Sequence, residues 1–290
     1  MKAPQLPRRH ILSRSLQLPA LAPSVSTGVT NYLLLYLTLL IFLSSCTSPT
    51  LTPRPTPALV RVAVTDITQP LLLDLAAAYA TVNPDVVVVP SLEPQAALAT
   101  QLTTGQADLA LTTAAPDPNL FATPLGYVRF EFVVHPNNPL SALTLPQARG
   151  LLAGRLYDWS QVGGAPGPVQ IIDRGPGTAA ERALGATALG PITVTTSALI
   201  APTWAAMRQL VGQNTAAIGY LIGPEIDATV KPLALLDVNG QPLPLRLLAV
   251  AVAPTDPAGA ARAFLAWAQS PAGQAAVGRR NETLEVGKGK

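Results

Sequence analysis

Two short stretches of this sequence gather groups able to hold an anion. Asp66-Ile67-Thr68-Gln69 lies between an apolar, β-branched run and Pro70. Arg174-Gly175-Pro176-Gly177-Thr178 lies between the run PVQIID and a helix-like segment. Each reads as a turn from a strand into a helix. At such a turn the first N–H groups lack intrahelical acceptors, and the helix dipole favours negative charge. Thr68, Gln69 and Thr178 add side-chain donors, and Gly177 leaves its backbone N–H open to close approach. Arg174 adds a guanidinium shaped for two-pronged contact with an oxyanion. Every strand-to-helix connection also calls for Gly, Pro, Ser or Thr, so plain turns fit the same residues. Arg174 has a rival role too, as a surface strut paired with Asp173, Glu181 or another acid. As an anion ligand, it would be removable with little loss of stability.

Composition narrows the chemistry. A chain of 290 residues, 49% hydrophobic and 12% charged, can bury a real core and is no disordered polyelectrolyte. A single cysteine, Cys46, excludes an internal disulfide and a cysteine-based zinc site. Two histidines, His10 and His135, leave little for a metal centre. The net charge of +3 is concentrated at one end: Lys2, Arg8, Arg9 and Arg14 precede Cys46 and no acid does. The remainder is close to neutral, which argues against nucleic acid as a partner. No nucleophile elbow, P-loop, zinc-binding helix or dinucleotide fingerprint occurs. Asp66 and Asp108, at strand ends, form no evident acid–base pair, and Asp108 reads as an anchor of the fold. Trp159, Tyr220 and the lone His135 read as packing or structural residues. The expectation is a binding protein, not an enzyme, with no cofactor and no metal.

The elements that must position the two turns alternate. LVRVAV from Leu59, VVVVP at 86–90 and ADLALTT at 107–113 read as strands, separated by helices over PLLLDLAAAYATV and QAALATQLTTG. That order implies a parallel sheet with helices on its faces. YVRFEFVVHP at 127–136 reads as a strand leading elsewhere. A second α/β set follows, with strands at 168–173, Thr193–Ser197, 216–221 and 245–254 and a helix over Trp204–Val211. GAARAFLAWAQSPAGQAAVG reads as one closing helix, and the charged residues after it as frayed. Two lobes joined by more than one crossing strand fit this order better than one continuous sheet.

The first 58 residues have a different texture. A basic stretch precedes the apolar run Tyr32–Leu43, which is too short to span a bilayer comfortably and has the size of a signal-peptide core. The tetrad Leu43-Ser44-Ser45-Cys46 that follows resembles the lipobox of bacterial lipoproteins. That resemblance implies a signal peptide over 1–45, lipidation of Cys46, and a protein anchored on the extracytoplasmic face of the bacterial cell membrane. Residues 46–58, rich in Pro and Thr, then form an extended tether.

LTLPQARGLLAGRLYDWSQVGG (143–164), followed by a strand and RGPGT (174–178), resembles the solute-binding proteins of ATP-binding-cassette (ABC) importers, above all the phosphate-binding group. GQADLALTT (105–113), AIGYL (217–221) and AFLAWAQSPAGQAAV (263–277) resemble further signatures of that family in the same order. The resemblance implies a two-lobed α/β fold of the periplasmic-binding-protein type (type II), with a ligand cleft between the lobes. Lobe 1 would comprise 59–130 and 219–280, lobe 2 would comprise 131–218, and 281–290 would be a flexible tail. It also implies a small oxyanion ligand (phosphate first, then sulfate, molybdate or tungstate) and ABC permease subunits as partners. The ligand residues would be Thr68, Gln69, Thr113, Arg174, Gly177 and Thr178. Departures weaken the phosphate assignment. The family's Gly-Ser-Gly-Thr turn has become Gly-Pro-Gly-Thr, Thr112-Thr113 replaces a pair that includes a carboxylate in phosphate binders, and Glu93 would repel an anion if it faced the cleft. A surface sensor or adhesion module with a degenerate pocket is the alternative.

Overall fold

The computed structural model describes residues 56–284; Cys46, the expected signal peptide and most of the tether lie outside them. Strand β1 (Ala58–Val64) leads through the first turn into helix α1 (Gln69–Val82), then β2 (Val86–Leu92), α2 (Leu98–Thr103) and β3 (Leu109–Thr112). β1 pairs in parallel with both β2 and β3, as the alternation requires. Helix α1 carries Pro70 in its first turn, where a missing N–H costs nothing. Its Leu71, Leu72, Leu75 and Tyr79 recur at helical spacing and are buried on the sheet.

A long strand, β4 (Phe121–Val134), carries the chain out of this lobe. It begins six residues before the sequence-based strand, because Pro124 and Gly126 disguise its first half. Pro124 faces Val250, next to a shift in the ladder's register, where a missing donor is tolerated. At Gly126 a side chain would strike Val277 at 2.7 Å, so only glycine lets the strand approach that helix. The second lobe follows as β5 (Ala142–Thr144), α3 (Leu145–Leu152), β6 (Gln170–Asp173), α4 (Ala179–Ala186), β7 (Leu199–Ile200), α5 (Trp204–Gln213), β8 (Ala217–Ile222) and β9 (Lys231–Leu236). The chain returns along β10 (Leu245–Ala253) and closes with α6 (Gly259–Gln269) and α7 (Pro271–Val277).

The result is the two-lobed α/β fold of periplasmic binding proteins, with a difference in the join. The sheet order β2-β1-β3-β10-β4-β8-β6-β7 is unbroken. The crossing strands β4 and β10 hydrogen-bond to each other and make the lobes halves of one ladder, not two separate sheets. The return also comes later than residue 219. β8 and β9 pair with the second half of β4, and β8 with β6, so 219–236 stays with the second lobe. Thr193–Ser197 is not a strand; Thr195 makes a single backbone bond to Leu152, and the β-branched run stays irregular. The closing helix is two helices, because Ser270 caps a new one by accepting from the Gly273 N–H, with Pro271 at its start. Nor are the residues after it all frayed. Glu282 bridges to Tyr127 on β4, the Leu284 N–H donates to Gln274, and Asn281 is buried.

Candidate functional site

Both turns reach the cleft, but their donors are distributed differently from the sequence-based expectation. A cavity of about 630 Å³ lies between the lobes. Asp66, Gln69, Glu93 and Gln95 line it from the first lobe, and Arg174, Thr178, Arg182 and Trp204 from the second.

Arg174 is the centre. It follows β6 directly, and its side chain is only 7% exposed. One terminal nitrogen meets Asp66 Oδ2 at 2.5 Å across the cleft, and the other donates to the Ala201 carbonyl at 3.1 Å. The guanidinium carbon stands 4.6 Å from the centroid of the Trp204 ring, a cation–π contact. Its Nε is buried with no partner among the described residues. Trp204 repeats the bridge: its indole N–H donates to the Asp66 backbone carbonyl at 3.1 Å. Asp66 therefore receives two donors from the opposite lobe. Arg174 is no surface strut, and its acidic partner is neither Asp173 nor Glu181.

Asp173 instead braces the turn from below. It is 2% exposed, accepts from the Tyr220 hydroxyl at 2.8 Å and takes the Gly175 N–H at 2.9 Å. Burial first, and then the Asp173 carboxylate, push the Tyr220 phenol far above its usual range, so it remains a donor at any physiological pH. Gly175 and Gly177 adopt φ of +99° and +74°, the left-handed region that favours glycine. The Gly177 N–H already donates to Glu181 Oε2 at 2.5 Å. Thr178 accepts from the Glu181 N–H and donates to the Gly175 carbonyl. The start of α4 is thus capped by Thr178, and the protein's own Glu181 carboxylate takes the Gly177 N–H, so Gly177 and the Thr178 hydroxyl form cleft wall with engaged donors.

The first turn divides as well. Gln69 lines the cleft. Thr68 does not: it is fully buried, and its hydroxyl donates to the Leu111 carbonyl at 3.0 Å, tying the turn to β3. Thr113 also lies off the cavity wall, while its neighbour Thr112 accepts from Gln95 Nε2 at 3.0 Å and orients that amide. Glu93 does line the cavity. Sequence reasoning missed Trp204, Arg182 and Gln95 as wall residues and did not count Asp66 as a ligand-side group. The only local signal for any of these was Asp66's place in the first turn. Trp159 and His135 are structural: the Trp159 indole donates to the Ala216 carbonyl, and His135 Nδ1 accepts from the Asn137 N–H in a turn. No group of His, Cys, Asp and Glu among the described residues is arranged to hold a metal.

Two α/β lobes thus face each other over a cleft with a nearly buried arginine in its wall. The chain belongs to the PBP superfamily: the model of the PBP superfamily domain matches residues 49–272. The family is one of solute-binding proteins and not of enzymes. Among solved structures, a candidate phosphate ABC transporter substrate-binding protein with bound phosphate from Clostridium perfringens is 20% identical, with a TM-score of 0.68 over 78% of this chain and all of that one. An ABC-type phosphate transport receptor from Vibrio cholerae is 21% identical, with a TM-score of 0.62 over 78% of this chain and 99% of the other. The fold also resembles the reduced OxyR regulatory domain of Pseudomonas aeruginosa, 16% identical with a TM-score of 0.54 over 73% and 97%. Among curated proteins, no sequence matches this chain. No helix among the described residues is long and apolar enough to cross a membrane.

Proposed function

We propose that this chain is the substrate-binding lipoprotein of an ABC importer. On this reading, acyl chains on Cys46 hold it at the extracytoplasmic face of the membrane. The ligand is a small oxyanion, with phosphate as the simplest case, which the protein delivers to permease subunits. The observation that carries this reading is the Arg174–Asp66 pair, a nearly buried guanidinium beside a carboxylate in the same cleft. An anion that keeps a proton can accept from the arginine and donate to the carboxylate. Phosphate does this at neutral pH and sulfate does not. Asp66 thus offers, from the first turn, the acceptor that Thr112-Thr113 lacks.

Calorimetry with phosphate, sulfate, molybdate and tungstate tests the reading. Phosphate should bind best, and Arg174→Ala should weaken it about ten- to hundred-fold, the worth of a charge-assisted hydrogen bond. Equal affinities in the two proteins would remove Arg174 from the site. One observation favours the alternative, a surface sensor or adhesion module: Asp66 and Glu181 already occupy donors an anion would use. Absence of heat with all four anions would support that alternative. Anchoring is tested separately. Cys46→Ser should move the protein out of the detergent phase, because it removes the thiol that would carry the lipid and with it the buried acyl chains that hold the protein at the membrane; unchanged partitioning would refute it.

A further inference from the structure

The charges lining the cleft can be paired off. Arg174 is neutralised by Asp66, and Glu225 by Arg208 at 3.2 Å. Two charges remain, one on each wall. Arg182, on α4, takes part in none of the ion pairs between described residues, and neither does Glu93, just after β2. Arg182 uses one nitrogen on the Gly177 carbonyl, which holds it on the Arg174 wall. Glu93 is half-buried, and its backbone N–H is fixed to Val64, which holds it on the opposite wall. Between them the lining is largely apolar, from Pro70, Leu92, Pro94, Pro202 and the Trp204 ring.

Size agrees with charge. Pockets of about 300–1,000 Å³ bury whole small organic molecules, and this one holds about 630 Å³. That is far more than a single tetrahedral anion fills. The lobes already meet beside this room, where Arg174 and Trp204 bridge to Asp66. A bare phosphate would leave the apolar walls wet and would face the uncompensated Glu93 carboxylate.

We infer that the ligand is a zwitterion: a phosphorus oxyanion carried on a short organic body that also bears a protonated amine. Its oxyanion lies toward Arg174 and Arg182, its ammonium toward Glu93, and its body against Trp204 and the prolines. The inference rests on the reading of Arg174 as the seat of the oxyanion and adds the other end of the molecule. It requires no covalent step.

Titration with 2-aminoethylphosphonate, ethylphosphonate and inorganic phosphate tests it, using wild type, Glu93→Gln and Arg174→Ala. Melting curves of each variant show that it is folded. The amine-bearing phosphonate should bind about ten-fold or more tighter than ethylphosphonate, and Glu93→Gln should abolish that preference. Ethylphosphonate or phosphate binding as tightly as the aminophosphonate overturns the inference, while continued dependence on Arg174 leaves the oxyanion reading standing. A preference that survives Glu93→Gln overturns the assignment to Glu93. No binding by any of the three overturns the oxyanion reading itself.

Discussion

Replacing Asp66 by Asn should weaken the fold and strengthen the binding of sulfate in the same protein. The substitution keeps the side-chain shape and the backbone carbonyl that takes the Trp204 indole N–H. It removes only the charge that meets Arg174. Breaking a fully buried pair costs about 3–5 kcal/mol, but the Asp66 side chain is 28% exposed and Asn can still accept one hydrogen bond. A cost of about 1–2 kcal/mol follows, and for a domain of this size that lowers Tm by roughly 2–8 °C. In the native protein an anion approaching Arg174 must displace the Asp66 carboxylate. Without that competitor, sulfate should bind about ten-fold tighter, equivalent to about 1.4 kcal/mol. Phosphate should gain less, because the carboxylate that accepts its remaining proton is also lost. The ratio of phosphate to sulfate affinity should therefore fall. Competition calorimetry at low ionic strength measures both constants. Unchanged or weaker sulfate binding, or an unchanged ratio, would refute the claim that Asp66 both competes with anions and selects among them.

Arg174→Ala strands the Asp66 carboxylate, frees the Ala201 carbonyl and removes the contact with Trp204, so it should cost about 2–4 kcal/mol in chemical denaturation, contrary to the small loss expected of a simple ligand residue. Tyr220→Phe leaves one oxygen of buried Asp173 without its donor; about 1–3 kcal/mol should be lost, measurable as a shift in the denaturant midpoint at constant slope. Asp108 gives a pH signature. Partial burial raises its pKa, but the hydrogen bonds and charge of Arg61 outweigh that and hold it below 3.8. A carboxylate depressed on folding contributes stability above its unfolded pKa and loses it as pH falls through the folded value. Acid titration of stability should thus be shallower below about pH 4 in Asp108→Asn than in wild type.

Much of this arrangement was readable from local pattern. Pro70 with Leu71, Leu72 and Leu75 marks α1, and Arg174-Gly175 at the end of an apolar run marks the turn on the cleft. Even the capped state of α4 has a local signature, since Thr178 and Glu181 stand three apart, as in a capping motif. What escaped was set by tertiary contact. Pro124 and Gly126 speak against a strand until β10 supplies a register shift and Val277 supplies the close neighbour. The Asp66–Arg174 pair joins residues 108 apart in sequence, so neither neighbourhood announces the other. Thr68 has the right chemistry for a ligand, but its hydroxyl points into the fold toward Leu111. Only the packing of β3 beside the turn decides that.

The shared ladder of β4 and β10 bears on whether either half can exist alone. Nine residues of β10 find partners along β4, and the far end of β4 pairs with β8 and β9. A fragment cut between the lobes would therefore expose a row of unpaired N–H and C=O groups in the middle of a former sheet. Such an edge, lined by Val128, Phe130 and Phe132, is a template for association with other chains. Single-lobe fragments should aggregate when expressed. Nicks in the exposed turn near Gly240, away from the ladder, should leave two pieces that stay together.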